Sequence, residues 1–126
     1  AADTGADALI VSNHGGRQLD GAPATIDALP SIVQAAGKDI EVWLDSGIRS
    51  GQDVLKARAL GAQGTLIGRS FLYGLGAYGL DGVTRALQII QKELDTTMAF
   101  CGHTDINRVG QDILLPGTYP QPFTQS

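Results

Sequence analysis

An α/β fold built on parallel strands is predicted by two features of the sequence. Short apolar runs alternate with longer segments of helical periodicity, over and over along the chain. Each apolar run then gives way to a polar or glycine-rich loop: "SNHGGR" from Ser12, "DSGIRSG" from Asp45 and "GRSF" from Gly68. Strand–helix alternation implies parallel pairing with right-handed crossovers. Two architectures fit, a doubly wound sheet and part of a (β/α)8 barrel. Both place ligands at the C-terminal ends of the strands.

The elements follow in order. Residues 7–12 form a short continuous apolar run and read as a buried parallel strand. Residues 24–36 carry Ile26, Leu29, Ile32, Val33 and Ala36 at helical spacing. Pro30 interrupts that pattern, so a helix starting near Asp27 is expected, with Pro30 in its first turn. "EVWLD", 41–45, reads as the second strand. Residues 52–60 set Val54, Leu55 and Ala59 on one face, and Gly61 is placed to end that helix. "QGTLIG", 63–68, reads as the third strand. The longest helical pattern spans 83–98, through Val83, Leu87, Ile90, Leu94 and Met98. Pro116, Pro120 and Pro122 punctuate a tail without periodicity, expected to be an extended or disordered arm. The division is therefore an α/β segment over 1–115 and a tail over 116–126.

Composition narrows the function classes. A chain of 126 residues suffices for one domain with a modest core. Its net charge of −4 argues against nonspecific nucleic-acid binding. Cys101 is the single cysteine and has no internal disulfide partner, which suits a reducing compartment; it is expected to be buried. No apolar run reaches the length of a membrane span, and the first residues do not read as a signal peptide. The sequence starts in mid-pattern, without an initiator methionine, as a fragment would.

The loops carry the chemistry. Gly47 lets the backbone approach a ligand and Arg49 offers a bidentate partner for phosphate; Gly68 and Arg69 repeat the arrangement after the next strand. Two neighbouring glycine–arginine loops match the phosphate cup of barrels. The plain alternative is that the glycines turn the chain and the arginines are solvated. His14 and Arg17 form a second constellation. A histidine is suited to accept a proton, and an arginine nearby holds a carboxylate through two parallel hydrogen bonds. That pair suits oxidation or proton abstraction on a small acid, against the alternative of a capping histidine and a surface arginine. His103, near Thr104 and Asp105, is expected to be structural, and no metal is expected.

"SNHGGRQLDG", "DSGIRSGQDVLKARALGA" and "LIGRSFLYGL" resemble the C-terminal portion of the FMN-dependent 2-hydroxy-acid dehydrogenases and oxidases. The resemblance runs to about Leu115, and Ser46 in "DSGIRSG" is most like the bacterial L-lactate dehydrogenase branch. It implies a (β/α)8 TIM barrel of which this chain holds the last three β/α units. It implies FMN as cofactor and oxidation of a small L-2-hydroxy acid, L-lactate foremost, to the 2-oxo acid. His14 would be the catalytic base and Arg17 would bind the substrate carboxylate. Ser12 would lie near the flavin ring. Asp45, Ser46, Gly47, Ile48 and Arg49 would line the ribityl and phosphate, with Gly68 and Arg69 closing the phosphate site. Other family site groups belong to earlier strands, which nothing in this chain matches, so the segment alone is expected to be inactive.

The alternative is a non-catalytic half-barrel or phosphate-binding module that self-associates. A homo-oligomer is expected: strand alternation puts some of Ile10, Trp43, Leu44 and Leu66 on the face that points into a barrel, and three strands standing alone would leave that apolar surface exposed. The expected location is the cytoplasm, with peripheral attachment to the inner membrane, through portions outside this segment, as the alternative.

Overall fold

In the computed structural model, which describes residues 2–123, short strands pair in parallel in the order β1 (Ala8–Val11), β2 (Glu41–Leu44) and β3 (Gly64–Thr65). Ile10 lies opposite Trp43, Val11 opposite Leu44, and Leu44 opposite Thr65. Strand alternation divides the sheet into two faces. Val11, Val42 and Leu44 point into the core, where they meet Leu29, Ala57 and Leu60. Full burial of each large aliphatic side chain contributes about 1.5–3 kcal/mol. Ile10 and Trp43 point the other way and are 54% and 36% exposed. The first strand is thus buried on one face only. The Trp43 ring lies over Gly64, and its indole N–H donates to the Glu41 carboxylate (2.9 Å). Among the described residues, β1 and β3 each keep one edge without a strand partner.

Helix α1 (Thr25–Ala36) starts two residues before the expected Asp27. The Thr25 hydroxyl donates to the Ser46 carbonyl (3.0 Å), and the Asp27 and Ala28 amides both reach the Ala24 carbonyl. Pro30 therefore sits inside the helix and not in its first turn, leaving the Ile26 carbonyl without its usual partner. Its ring is buried beside Leu29, so tertiary packing outweighs the local cost. Helix α2 (Gly51–Ala59) opens with a capping box. Ser50 Oγ accepts from the Asp53 amide (3.2 Å), while the Asp53 carboxylate accepts from the Ser50 and Arg49 amides (3.0 Å each).

Helix α3 (Arg69–Phe100) is far longer than the expected 83–98. It breaks at Tyr78 and Gly79, where Gly79 takes a positive φ of 57°. The two halves fold against each other at Gly74 and Gly82; a Cβ on either would collide with the other's backbone. The third strand is shorter than 63–68, although the Leu66 amide still bonds to the Leu44 carbonyl (2.8 Å). Leu55, Ala59 and Val109 form a second small core with Leu94 and Met98.

Beyond α3, Cys101 is exposed and not buried, because it sits at the helix C-cap. Asp105 caps a 3-10 turn at Ile106–Arg108, and His103 Nε2 lies 3.6 Å from an Asp112 carboxylate oxygen. The tail through Phe123 has no helix or strand. It is nevertheless anchored: Tyr119 packs on the main core and the Phe123 amide donates to Ser31 Oγ (2.7 Å). The expected tail's last residues, 124–126, lie outside the described residues.

Candidate active site

The strand ends share one rim. Ser12 directly follows β1, Asp45 directly follows β2, and Gly68 is the N-cap of α3 beyond β3. A cleft of about 410 Å³ opens between these loops. Every candidate catalytic, substrate-binding or cofactor-binding residue lines it except Ser12. His14 and Arg17 line it together with Gly47, Arg49, Gly68 and Arg69.

Ser12 is turned away for a clear reason. Its hydroxyl donates to Asp45 Oδ2 (2.5 Å) and accepts from the His14 amide (3.1 Å). It therefore supports the loop and does not face the cleft. Ile48 is also split: its side chain is buried in the core, while its carbonyl accepts from Ser70 Oγ (3.4 Å). Arg69 does not simply flank a phosphate cup, because it donates to the Gly15 carbonyl (3.2 Å) and so ties the last loop to the first. The Arg49 amide is committed to Asp53, which leaves its exposed guanidinium as the group that faces outward.

The Asp45 carboxyl is held below the ordinary value of 3.8 by the Ser12 hydroxyl bond, with Ser46 and the nearby His14 adding in the same direction and burial opposing. A carboxylate with a depressed folded-state pKa stabilises the fold above its unfolded value, and that contribution fades as pH falls through the lower folded value. The melting-temperature difference between wild type and Asp45→Asn should therefore stay constant down to about pH 4 and shrink only below it. A difference that vanishes near neutral pH would contradict the placement of this charge.

The rim is suited to an anion. A Cβ added at Gly47 or Gly68 would meet nothing, so both glycines face open space. The α3 N-terminus has no side-chain cap, and while the Phe71 and Leu72 amides bond to the Gly68 carbonyl, the Arg69 and Ser70 amides are open to an anion in addition to the arginines. By contrast, the α2 N-terminus next to it is closed by Asp53 and Glu93. These features fit the phosphate of a flavin mononucleotide. Sequence reasoning missed the capping box, although the Ser50–Asp53 spacing was its signal.

The family model described as FMN-dependent dehydrogenase matches residues 1–116. The chain belongs to the FMN-dependent dehydrogenase family. Among members, the L-lactate dehydrogenase of Pseudomonas syringae pv. syringae is 53% identical over 111 residues, covering 88% of this chain and 29% of that one. The pre-mycofactocin synthase of Mycobacterium tuberculosis is 48% identical over 117 residues, covering 92% and 30%. The solved structure of a soluble mutant of the membrane-associated (S)-mandelate dehydrogenase from Pseudomonas putida superposes with a TM-score of 0.84 at 44% identity, over 88% of this chain and 31% of that one. The chain thus spans about three-tenths of the length of these family members. The family's structures are TIM-barrel flavoenzymes, and FMN is its cofactor.

Proposed function

We propose that this chain is the last three β/α units of a (β/α)8 flavoenzyme that oxidises a small L-2-hydroxy acid, L-lactate foremost, to the 2-oxo acid. The observation that carries this reading is the single cleft onto which His14, Arg17 and two glycine–arginine loops open. Arg17 holds the substrate carboxylate in its planar fork, which fixes the hydroxyl-bearing carbon in one orientation. His14, three residues earlier on the same loop, takes the hydroxyl proton at its imidazole. Arg49 and the α3 N-terminus hold the FMN phosphate, with Asp45 and Gly47 toward the ribityl chain. FMN, when bound, supplies the two-electron acceptor.

The open sheet face and the unpaired edges of β1 and β3 support a larger barrel around this segment. The same exposed Ile10 and Trp43 support a second reading, a non-catalytic module that pairs with a copy of itself. No described helix is long and apolar enough to cross a membrane. With a membrane-associated relative in the family, the proposed location is the cytoplasm or the periphery of the inner membrane.

A visible spectrum of the complete polypeptide separates the readings. The expected result is flavin absorbance that bleaches on anaerobic addition of L-lactate. Bleaching by a different 2-hydroxy acid alone would move the substrate assignment. A flavin that no 2-hydroxy acid reduces would overturn the reaction.

A further inference from the structure

We propose that Ser46 is a positioning residue: its hydroxyl, together with that of Ser12, suspends the His14 loop from the Asp45 carboxylate. The inference rests on the reading of His14 as the base. Asp45 Oδ2 accepts from Ser12 Oγ (2.5 Å) and from Ser46 Oγ (3.0 Å). A hydroxyl has one proton to donate. With both protons committed to the carboxylate, the oxygen lone pairs face the loop. There Ser12 Oγ accepts from the His14 amide and Ser46 Oγ accepts from the Gly15 amide, each at 3.1 Å. Two successive loop amides therefore hang, through two hydroxyls, from one carboxylate oxygen.

The backbone shows that the arrangement is held under strain. His14 has a φ of 60° and Ser46 a φ of 76°, and no other non-glycine residue described takes a positive value. Such conformations persist where surrounding contacts over-determine them. Glycine would occupy position 46 without that cost, and it would lack the hydroxyl. The Ser46 carbonyl also accepts from Thr25, so the same residue links the start of α1 to the loop.

Ser46→Gly and Ser46→Ala separate positioning from stability. Both remove the hydroxyl; the first relieves the backbone strain and the second keeps it. In the complete flavoenzyme, both variants should lower kcat about tenfold, with KM close to wild type. Both should also speed hydrogen exchange of the Gly15 amide by about tenfold. Their melting temperatures should diverge, with Ser46→Gly the more stable. A kcat that follows the melting temperature, or a Gly15 amide as protected as in wild type, would overturn the proposal. Faster Gly15 exchange with full turnover in a His14→Ala protein would instead remove the role of His14 and leave the hydroxyl clamp standing.

Discussion

Gly51→Ala should destabilise the fold by about 3 kcal/mol, a fall of roughly 10 °C in melting temperature for a domain of this size. Gly51 is the first residue of α2 and is buried against the second half of α3. A Cβ there would collide with the Leu94 amide and the Ile90 carbonyl, which are backbone atoms of a continuous helix and cannot rotate aside. The Gly51 amide also donates to the Glu93 carboxylate (2.9 Å), so displacing α2 breaks a charge-assisted bond at its N-terminus as well. The second core, built from Leu55 and Ala59 against Leu94 and Met98, would open from the same edge. Gln52→Ala, an exposed change one residue on, provides the control and should be nearly neutral. Thermal unfolding followed by circular dichroism measures both. A Gly51→Ala protein that melts with the control would show that the two helices do not approach this closely.

How much of this was legible in the sequence depended on whether a feature was local. Strands β1 and β2 and helix α2 each declared themselves by an apolar face and a bounding turn, and they appear within a residue or two of the expected positions. The first half of α3 did not, because Gly74, Gly76 and Gly79 are poor helix formers and its aromatic residues Tyr73 and Tyr78 are exposed. It packs instead through the close backbone approach of Gly74 to Gly82, which no periodicity reports. Pro30 misled for a related reason: a local penalty was outweighed by packing that only the folded sheet provides.

The site follows the same rule. His14, Arg17, Arg49 and Arg69 were readable because a parallel sheet sends whatever follows its strands to one rim. The orientation of Ser12 was not readable, since it is set by Asp45, 33 positions away. Nor was the reach of Arg69 across to the Gly15 carbonyl, 54 positions back. The positive φ of Ser46 is likewise invisible to residue type, as serine carries none of glycine's signal for that conformation.

His14→Ala in the complete flavoenzyme should lower kcat by about 10²–10⁴-fold, the span that a positioned general base contributes. The imidazole lines the same cleft as Arg17, Arg49 and Arg69, but its side chain forms none of the hydrogen bonds that hold the rim together; only its backbone is used, the amide by Ser12 Oγ and the carbonyl by the Arg17 amide. Flavin binding should therefore survive, which difference spectra during an FMN titration would show. On the proposed assignment, in which Arg17 and not His14 holds the carboxylate, KM should change little. One complication is the left-handed backbone at position 14, which alanine tolerates poorly and asparagine tolerates well. His14→Asn thus removes the base while sparing the loop, and it should lose turnover as fully as His14→Ala. Should the asparagine variant keep most of its rate, the alanine defect belongs to the loop conformation and His14 is not the base. If instead the loss falls on KM with kcat intact, His14 binds the substrate without taking its proton.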